Sequence, residues 1–372
     1  MPARISLQLR SAWPVAYFIE ATNCESIMPN DCVTFVILGL ALCSPAIVEA
    51  RSNAVASDDA YTHAQTLVDV DRGRRLNLYC LGEGSPAVVF DAGLGDTTAK
   101  WALVQPAIAE HTRTCSYDRA GLGFSDPAER PGTSASSADD LHRLLRAAHV
   151  APPYIMVGHS LGGMNVRLYA DQHLSEVAGM VLVDPSHEDQ SSRIWAIAGP
   201  GKRAEWDAYL VDRRTCITSA RTGFVPGSEQ FKTCTFGHDD YAGPAINAVL
   251  LQMHESVAFQ QAVSWEQENV FYASADEVRA ARRSYGDMPL IVLTRSPQPK
   301  GPDETQVQRD AKTRIWEELH DQIAALSTRG VNRTVTDTGH YIQFDQPQVV
   351  IHAILEVLDA ARAKTVARRR GA

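Results

Sequence analysis

From about residue 60 onward, short runs of apolar, often β-branched residues alternate with stretches whose apolar positions recur every three or four residues. That alternation predicts a mostly parallel sheet covered by helices. Residues 67–70 and 76–80 flank the turn-like Asp71-Arg72-Gly73 and read as an opening hairpin. Residues 87–90 form a buried strand running into the glycine-rich loop at 91–95, followed by a helical segment with Trp101, Val104 and Ile108 and a strand over 112–117. After a short loop at 132–137, Ser137 is expected to cap a helix carrying Leu141, Leu144 and Leu145. A strand over 154–157, a helix from about 161 to 174 and a strand over 180–183 come next. Beyond a long interruption, the pattern resumes with a strand over 290–294 and a helix around Trp316, Leu319 and Ile323. A strand near 331–335 and a last helix after Pro347 complete it.

The interruption, residues 186–286, has scattered aromatics (Trp195, Trp206, Phe224, Phe231, Trp265) and helical segments without βα alternation. It is too long for a plain loop and reads as a folded insertion. At 372 residues the chain has room for one large α/β domain carrying such an insertion. A hydrophobic fraction of 45% against 21% charged residues excludes wholesale disorder, and the net charge of -9 argues against a nucleic-acid-binding surface. The basic run Arg368-Arg369-Arg370 reads as a frayed, solvated tail.

The first fifty residues differ from the rest. The apolar run 33–42 ends before Pro45 and is followed by Val48-Glu49-Ala50. It is short of the roughly 20 apolar residues of a membrane span and matches a cleaved secretory signal, with Met28 as an alternative start. A secreted or periplasmic protein with no stable span after processing is therefore expected, the alternatives being a membrane-anchored or a cytoplasmic chain. Three cysteines (Cys24, Cys32, Cys43) fall in the segment to be removed and four (Cys80, Cys115, Cys216, Cys234) beyond it. Four cysteines allow three pairings, and none has the spacing of a zinc site or a redox CxxC pair, so no metal or cofactor is expected.

The strongest chemical signal is Gly158-His159-Ser160-Leu161-Gly162. A GxSxG should arise by chance about 0.1 times in a chain of this length, so its context decides. Here it lies between an apolar strand and a helix, the setting of a nucleophile elbow. A serine on so sharp a turn needs tiny neighbours two positions away on either side. The turn lifts its hydroxyl to the helix N-terminus, where the Leu161 amide can face a developing oxyanion. Serine also needs a base. His340, in Thr338-Gly339-His340-Tyr341 between the last strand and the last helix, falls at the carboxyl edge of the sheet on the elbow's side. His159, next to Ser160, points away from it and is expected to pack or line the pocket.

Together with Tyr117-Asp118-Arg119-Ala120-Gly121-Leu122-Gly123-Phe124-Ser125 and with Asp345-Gln346-Pro347 after Gly339-His340, this constellation resembles the α/β-hydrolase superfamily, in its branch of serine esterases and proline-iminopeptidase-like enzymes. The resemblance covers about residues 61–362. It implies eight strands in the order 1-2-4-3-5-6-7-8, helices on both faces and a helical cap between strands 6 and 7. The organisation expected is a targeting segment at 1–50, a core at 61–185 and 287–362, a cap at 186–286 and a basic tail at 363–372. Because it makes strands 2 and 4 neighbours, the resemblance also implies a Cys80–Cys115 bridge, leaving Cys216–Cys234 to close a loop within the cap.

By position the resemblance places the oxyanion donors at the Leu94 and Leu161 amides, although Asp91-Ala92-Gly93 stands where relatives usually have His-Gly. It reads Asp118 and Arg119 as a structural pair fixing their loop. The carboxylate partner of His340 stays open. Asp184, at the end of strand 6, is one choice; Asp303 or Glu304 after strand 7 is a second; Glu188 or Asp189 is a third.

The function these residues imply is a serine hydrolase that cleaves a small carboxylic ester or related acyl bond through an acyl-enzyme, its partner a small-molecule acyl substrate. Its activity is expected to fall below about pH 6, near imidazole's ordinary value. Dehalogenases and epoxide hydrolases of this fold carry aspartate at the nucleophile position. An aminopeptidase would need a cap acid for the substrate amine, for which Glu205, Asp207, Asp239 and Asp240 are candidates. Acyl transfer would use the same triad. A non-catalytic ligand-binding relative predicts a damaged triad, whereas serine and histidine are both present. An NAD-binding reading fails because 93–98 lacks a third glycine.

Overall fold

The structure is a computed structural model and describes residues 59–371. The expected targeting segment, with Cys24, Cys32 and Cys43, lies outside the described residues. Eight strands form one sheet: β1 (Thr66–Asp71), β2 (Arg74–Leu81), β3 (Ala87–Asp91), β4 (Thr114–Tyr117), β5 (Tyr154–His159), β6 (Val177–Val183), β7 (Leu290–Arg295) and β8 (Gly330–Val335). Their order is β1-β2-β4-β3-β5-β6-β7-β8, as the resemblance implies. β2 runs antiparallel to β1 and to β4, and the remaining pairs are parallel.

Helices α1 (Gln105–Ala109), α2 (Ser134–Ala147) and α3 (Leu161–Gln172) belong to the first half. Between β6 and β7 come α4 (Gln190–Ala198), α5 (Lys202–Thr222), α6 (Glu229–Thr235), α7 (Pro244–His254), α8 (Val257–Val270) and α9 (Ala273–Ala281), which fill the expected insertion. After β7 follow α10 (Gln306–Ala324), α11 (Ile342–Asp345) and α12 (Pro347–Gly371). No helix among the described residues is long and apolar enough to cross a membrane.

The central strands read as continuous apolar runs because both sheet faces are covered. Alternate residues feed two separate cores. Val88 and Phe90, Ile155 and Val157, Val181 and Val183, Ile291 and Leu293 pack against Ile108 of α1 and Val350, Ile354 and Leu358 of α12. Ala87 and Val89, Met156, Met180 and Leu182, Leu290 and Val292 face Leu141, Leu144 and Leu145 of α2 and Met164, Val166 and Leu168 of α3. The alternation fixes the register, since a one-residue slip would exchange the two faces.

Three local expectations are corrected. The cap of α2 is Thr133, whose hydroxyl accepts from the Ser136 amide while the Ser136 hydroxyl accepts from the Thr133 amide, so the helix starts at Ser134 inside the stretch read as loop. Ser137 merely sits in its first turn, because the reciprocal pair satisfies two orphan amides where Ser137 would satisfy one. α3 ends at Gln172, short of Leu174. The tail is not frayed in its backbone: α12 runs on to Gly371, since nothing from Val349 to Arg370 is a helix breaker and alanine, lysine and arginine favour helix.

The bridges join Cys80 to Cys115 and Cys216 to Cys234. Cys80 and Cys115 face each other in the antiparallel β2–β4 register, with Cα atoms 4.1 Å apart. The second bridge joins α5 to α6 across 18 sequence positions. Replacing Cys216 and Cys234 together by alanine is expected to cost about 3 kcal/mol through the freed loop entropy of the unfolded chain. Urea unfolding of the double variant beside the parent protein measures it.

Candidate active site

Ser160 lies between β5 and α3 with φ 52° and ψ -120°, a positive φ that is costly for any residue with a Cβ. What holds it there is close backbone packing on either side. A Cβ on Gly158 would lie 2.6 Å from the Gly162 carbonyl oxygen, and one on Gly162 would lie 2.3 Å from the carbonyl oxygen of Asp91. The strand, the helix and the end of β3 thus meet backbone to backbone. The Ser160 amide donates to Val183 O (3.2 Å), and the Ser186 amide donates to Ser160 O (2.9 Å), tying the elbow to the end of β6.

One residue beyond β6 stands Asp184, fully buried and at φ 41°. His340 Nδ1 donates to Asp184 Oδ2 at 2.5 Å; the ionised carboxylate only accepts, which assigns the proton to Nδ1. The same oxygen takes Arg295 Nη1 at 2.5 Å, while Oδ1 takes the Trp316 indole N–H (2.8 Å) and the Arg295 amide (3.2 Å). Burial opposes the charge on Asp184, but Arg295 and then the bond from His340 outweigh it and hold the carboxyl well below the usual range. The geometry therefore brings Asp184 to His340, among the acids left open by the sequence.

The other candidates have different partners. Glu304 spends its carboxylate on Arg309 (3.0 Å), Lys312 (2.7 Å) and the Gly301 amide (3.2 Å), and Asp303 is exposed beside it. Asp189 pairs with Arg279 at 2.8 Å. Glu188 forms a buried two-pronged ion pair with Arg167 (2.8 and 3.0 Å) under α3. His159 is buried, donates from Nε2 to the His340 carbonyl (2.9 Å) and packs against the rings of His340 and Tyr341. Burial, and then the nearby His340, hold its pKa well below the ordinary value.

The loop after β3, which carries Leu94, is held by Arg119. This residue donates to Asp91 Oδ1 (2.8 Å), to the carbonyls of Ala92 (2.8 Å) and Gly93 (2.6 Å), and to Glu266 of α8 (2.6 and 3.0 Å). Glu266 also accepts from the Gly95 amide at 2.8 Å. Asp118 and Arg119 are therefore not a mutual pair. Asp118 instead accepts from the amides of Thr98 and Phe124 and from Asn77. Sitting on successive positions, the two side chains leave toward different loops. No acceptor among the described residues takes the backbone amide of Leu94 or of Leu161.

Sequence reasoning missed Arg295, Trp316 and Glu266. A signal existed for Arg295: β6 and β7 pair in parallel with Val183 opposite Leu293, so whatever ends β7 flanks whatever ends β6. For a metal, His142, His173 and Glu176 bring ligand atoms within 4.8 Å of one another. Yet the two imidazoles stack face to face, centroids 4.0 Å apart with 7° between planes, so their in-plane lone pairs do not converge on one ion. The Tyr169 hydroxyl, donating at 2.6 Å, occupies the glutamate.

The sheet order, the strained serine between β5 and α3 and the histidine after β8 define an α/β-hydrolase-fold protein. Residues 86–210 match the family model described as "alpha/beta hydrolase fold". The match covers about a third of the chain and agrees with the fold described above. It is similar to "Uncharacterized protein YqjL" of Bacillus subtilis, 25% identical over 280 residues that cover 75% of this chain and 86% of that one. Among solved structures it resembles a mutant of a "putative epoxide hydrolase" from Pseudomonas aeruginosa (TM-score 0.58, 18% identity, 80% of this chain and 97% of that one). A "putative lipase" from Acinetobacter baumannii aligns with a TM-score of 0.57 at 18% identity, over 82% of this chain and 94% of that one. Other curated relatives match over stretches that span 15% to 44% of their own length.

The Glu188–Arg167 pair makes a pH prediction. Burial would raise the pKa of Glu188, but Arg167 draws it down from 4.5 to about 2. Its contribution is thus complete above about pH 4.5 and is lost as pH falls toward 2, to a total of about 3 kcal/mol. In urea unfolding at a series of pH values, Glu188→Gln is expected to be the less stable protein near neutrality. Its stability should also fall less steeply than that of the parent between those limits.

Proposed function

We propose that the protein is a serine hydrolase that cleaves a small carboxylic ester, or a related acyl bond, through an acyl-enzyme. The observation that carries this reading is the bond from His340 Nδ1 to buried Asp184, which in the neutral ring leaves Nε2 as the basic nitrogen. In this mechanism Nε2 takes the proton of the Ser160 hydroxyl as its oxygen attacks the substrate carbonyl. The Leu94 and Leu161 amides receive the oxyanion, and Nε2–H then protonates the leaving alcohol. Water, deprotonated by the same nitrogen, attacks the acyl-serine, releases the acid and restores the hydroxyl.

Among acyl substrates, three of the four cap acids speak for an ester over a peptide with a free amino terminus, whereas the fourth, Asp240, is exposed with His238 3.9 Å away. Asp239 is paired with Lys100 at 2.5 Å, Glu205 with Lys202 at 2.5 Å, and Asp207 accepts from Tyr272 at 2.6 Å, so these carboxylates already have donors. Two disulfides support an oxidising compartment, in line with export.

Turnover of p-nitrophenyl acetate tests the reading. Ser160→Ala and His340→Ala are expected to lose essentially all of it, and Ser160→Ala also to lose labelling by a fluorophosphonate probe. Asp184→Asn, which removes the acceptor that fixes the ring, is expected to lower kcat about 10³–10⁴-fold. Full turnover in Ser160→Ala would refute the mechanism.

A further inference from the structure

We infer that Arg295 is a positioning residue that sets the lower pH limit of the reaction, keeping His340 neutral, and so able to act as a base, in more acidic solution than an aspartate–histidine pair alone would allow. The inference rests on the reading of Ser160, His340 and Asp184 given under the proposed function.

Arg295 ends β7 beside Asp184, and its contacts go beyond one surface ion pair. Its amide donates to Asp184 Oδ1 and its Nη1 to Oδ2, where Nη1 also lies 3.3 Å from His340 Nδ1. The guanidinium is stacked on the Trp316 ring, Cζ 4.6 Å from its centroid, and that indole completes the set of donors on Oδ1. Four donors thus fill the carboxylate, and two of the four come from Arg295.

An arginine is charged at every working pH. Asp184 is therefore largely neutralised before an imidazolium forms beside it, and the cation stands against the nitrogen that carries the shared proton. Both effects disfavour the protonated ring.

Other groups facing His340 supply no comparable charge. His159, at the end of β5 with its ring tilted against that of His340, is kept neutral by burial. His320 of α10 is buried, with its pKa down at about 4, and is bonded to Thr294 and to the Pro185 carbonyl. Tyr341 is its chain neighbour, and Asp345 of α11 accepts from the Gly339 amide. Asp96, whose pKa burial raises, lies 3.8 Å from His159 Nδ1, and Lys100, paired with Asp239, stands over the Tyr341 ring 4.7 Å from its centroid. Arg295 is the full cation in contact with the ring.

The test is the pH profile of kcat/KM for ester hydrolysis in the parent, Arg295→Gln and Arg295→Lys. The acid limb of Arg295→Gln is expected about one pH unit higher, so that on the acidic side it turns over about tenfold more slowly than the parent after scaling to its plateau. Arg295→Lys keeps the charge and is expected to keep the midpoint. Arg295→Met, which retains an apolar stack on Trp316, replaces the glutamine variant if that one does not fold. A merely structural role would lower the plateau and leave the midpoint in place. Titration of His340 by ¹⁵N NMR in the ligand-free proteins reads the same shift without turnover, so the inference is tested even if Ser160 proves not to be the nucleophile. Coincident His340 midpoints in parent and Arg295→Gln, or an equal shift in Arg295→Lys, would overturn it.

Discussion

The site depends on a backbone-to-backbone approach that side chains would forbid. The first turn of α3 lies directly on the end of β3 and on Pro185, and the missing β-carbons of Gly158, Gly162 and Gly163 are what permit it. Ser160 carries its positive φ because its neighbours and its own amide and carbonyl are held by these contacts and by the end of β6. A strained residue persists when its surroundings over-determine it, and here two strands and a helix do so. From this contact follow the place of the serine, the direction of the free Leu161 amide and the nearness of the loop that carries Leu94.

The second determinant is electrostatic. Asp184 is a buried charge whose isolation would be expensive, and it persists because every acceptor site has a donor. Those donors come from β7, α10 and the loop after β8, which converge at one sheet edge only because β6, β7 and β8 are parallel neighbours. The charge therefore gathers the second half of the chain around the end of β6, much as the glycines gather the first half around the end of β3.

Legibility in the sequence follows the range of the interactions. Ser160 and the apolar strands were readable because motif and periodicity are local. His340 was readable through topology, since a loop after the last strand must lie at the carboxyl edge. The carboxylate beside His340 was left open because telling Asp184 from Glu304 requires knowing where a proline-rich loop turns. Here Glu304 turns to Arg309 and Lys312 at the start of α10. The donors on Asp184 were missed because they sit 111 and 132 positions away in sequence. Thr133 was missed as the cap of α2 since its advantage over Ser137 lies in a reciprocal bond, which composition alone does not distinguish.

Glu266 has a consequence for how anything reaches the serine. It is the only residue of α8 bonded to both Arg119 and the Gly95 amide among the described residues, so the inserted helices are locked to the chain that carries Leu94. Swinging the whole insertion aside as one rigid door would tear out this buried clasp and slacken the loop that carries Leu94. An insertion that moves while Glu266 keeps these bonds must move around α8 as a fixed post.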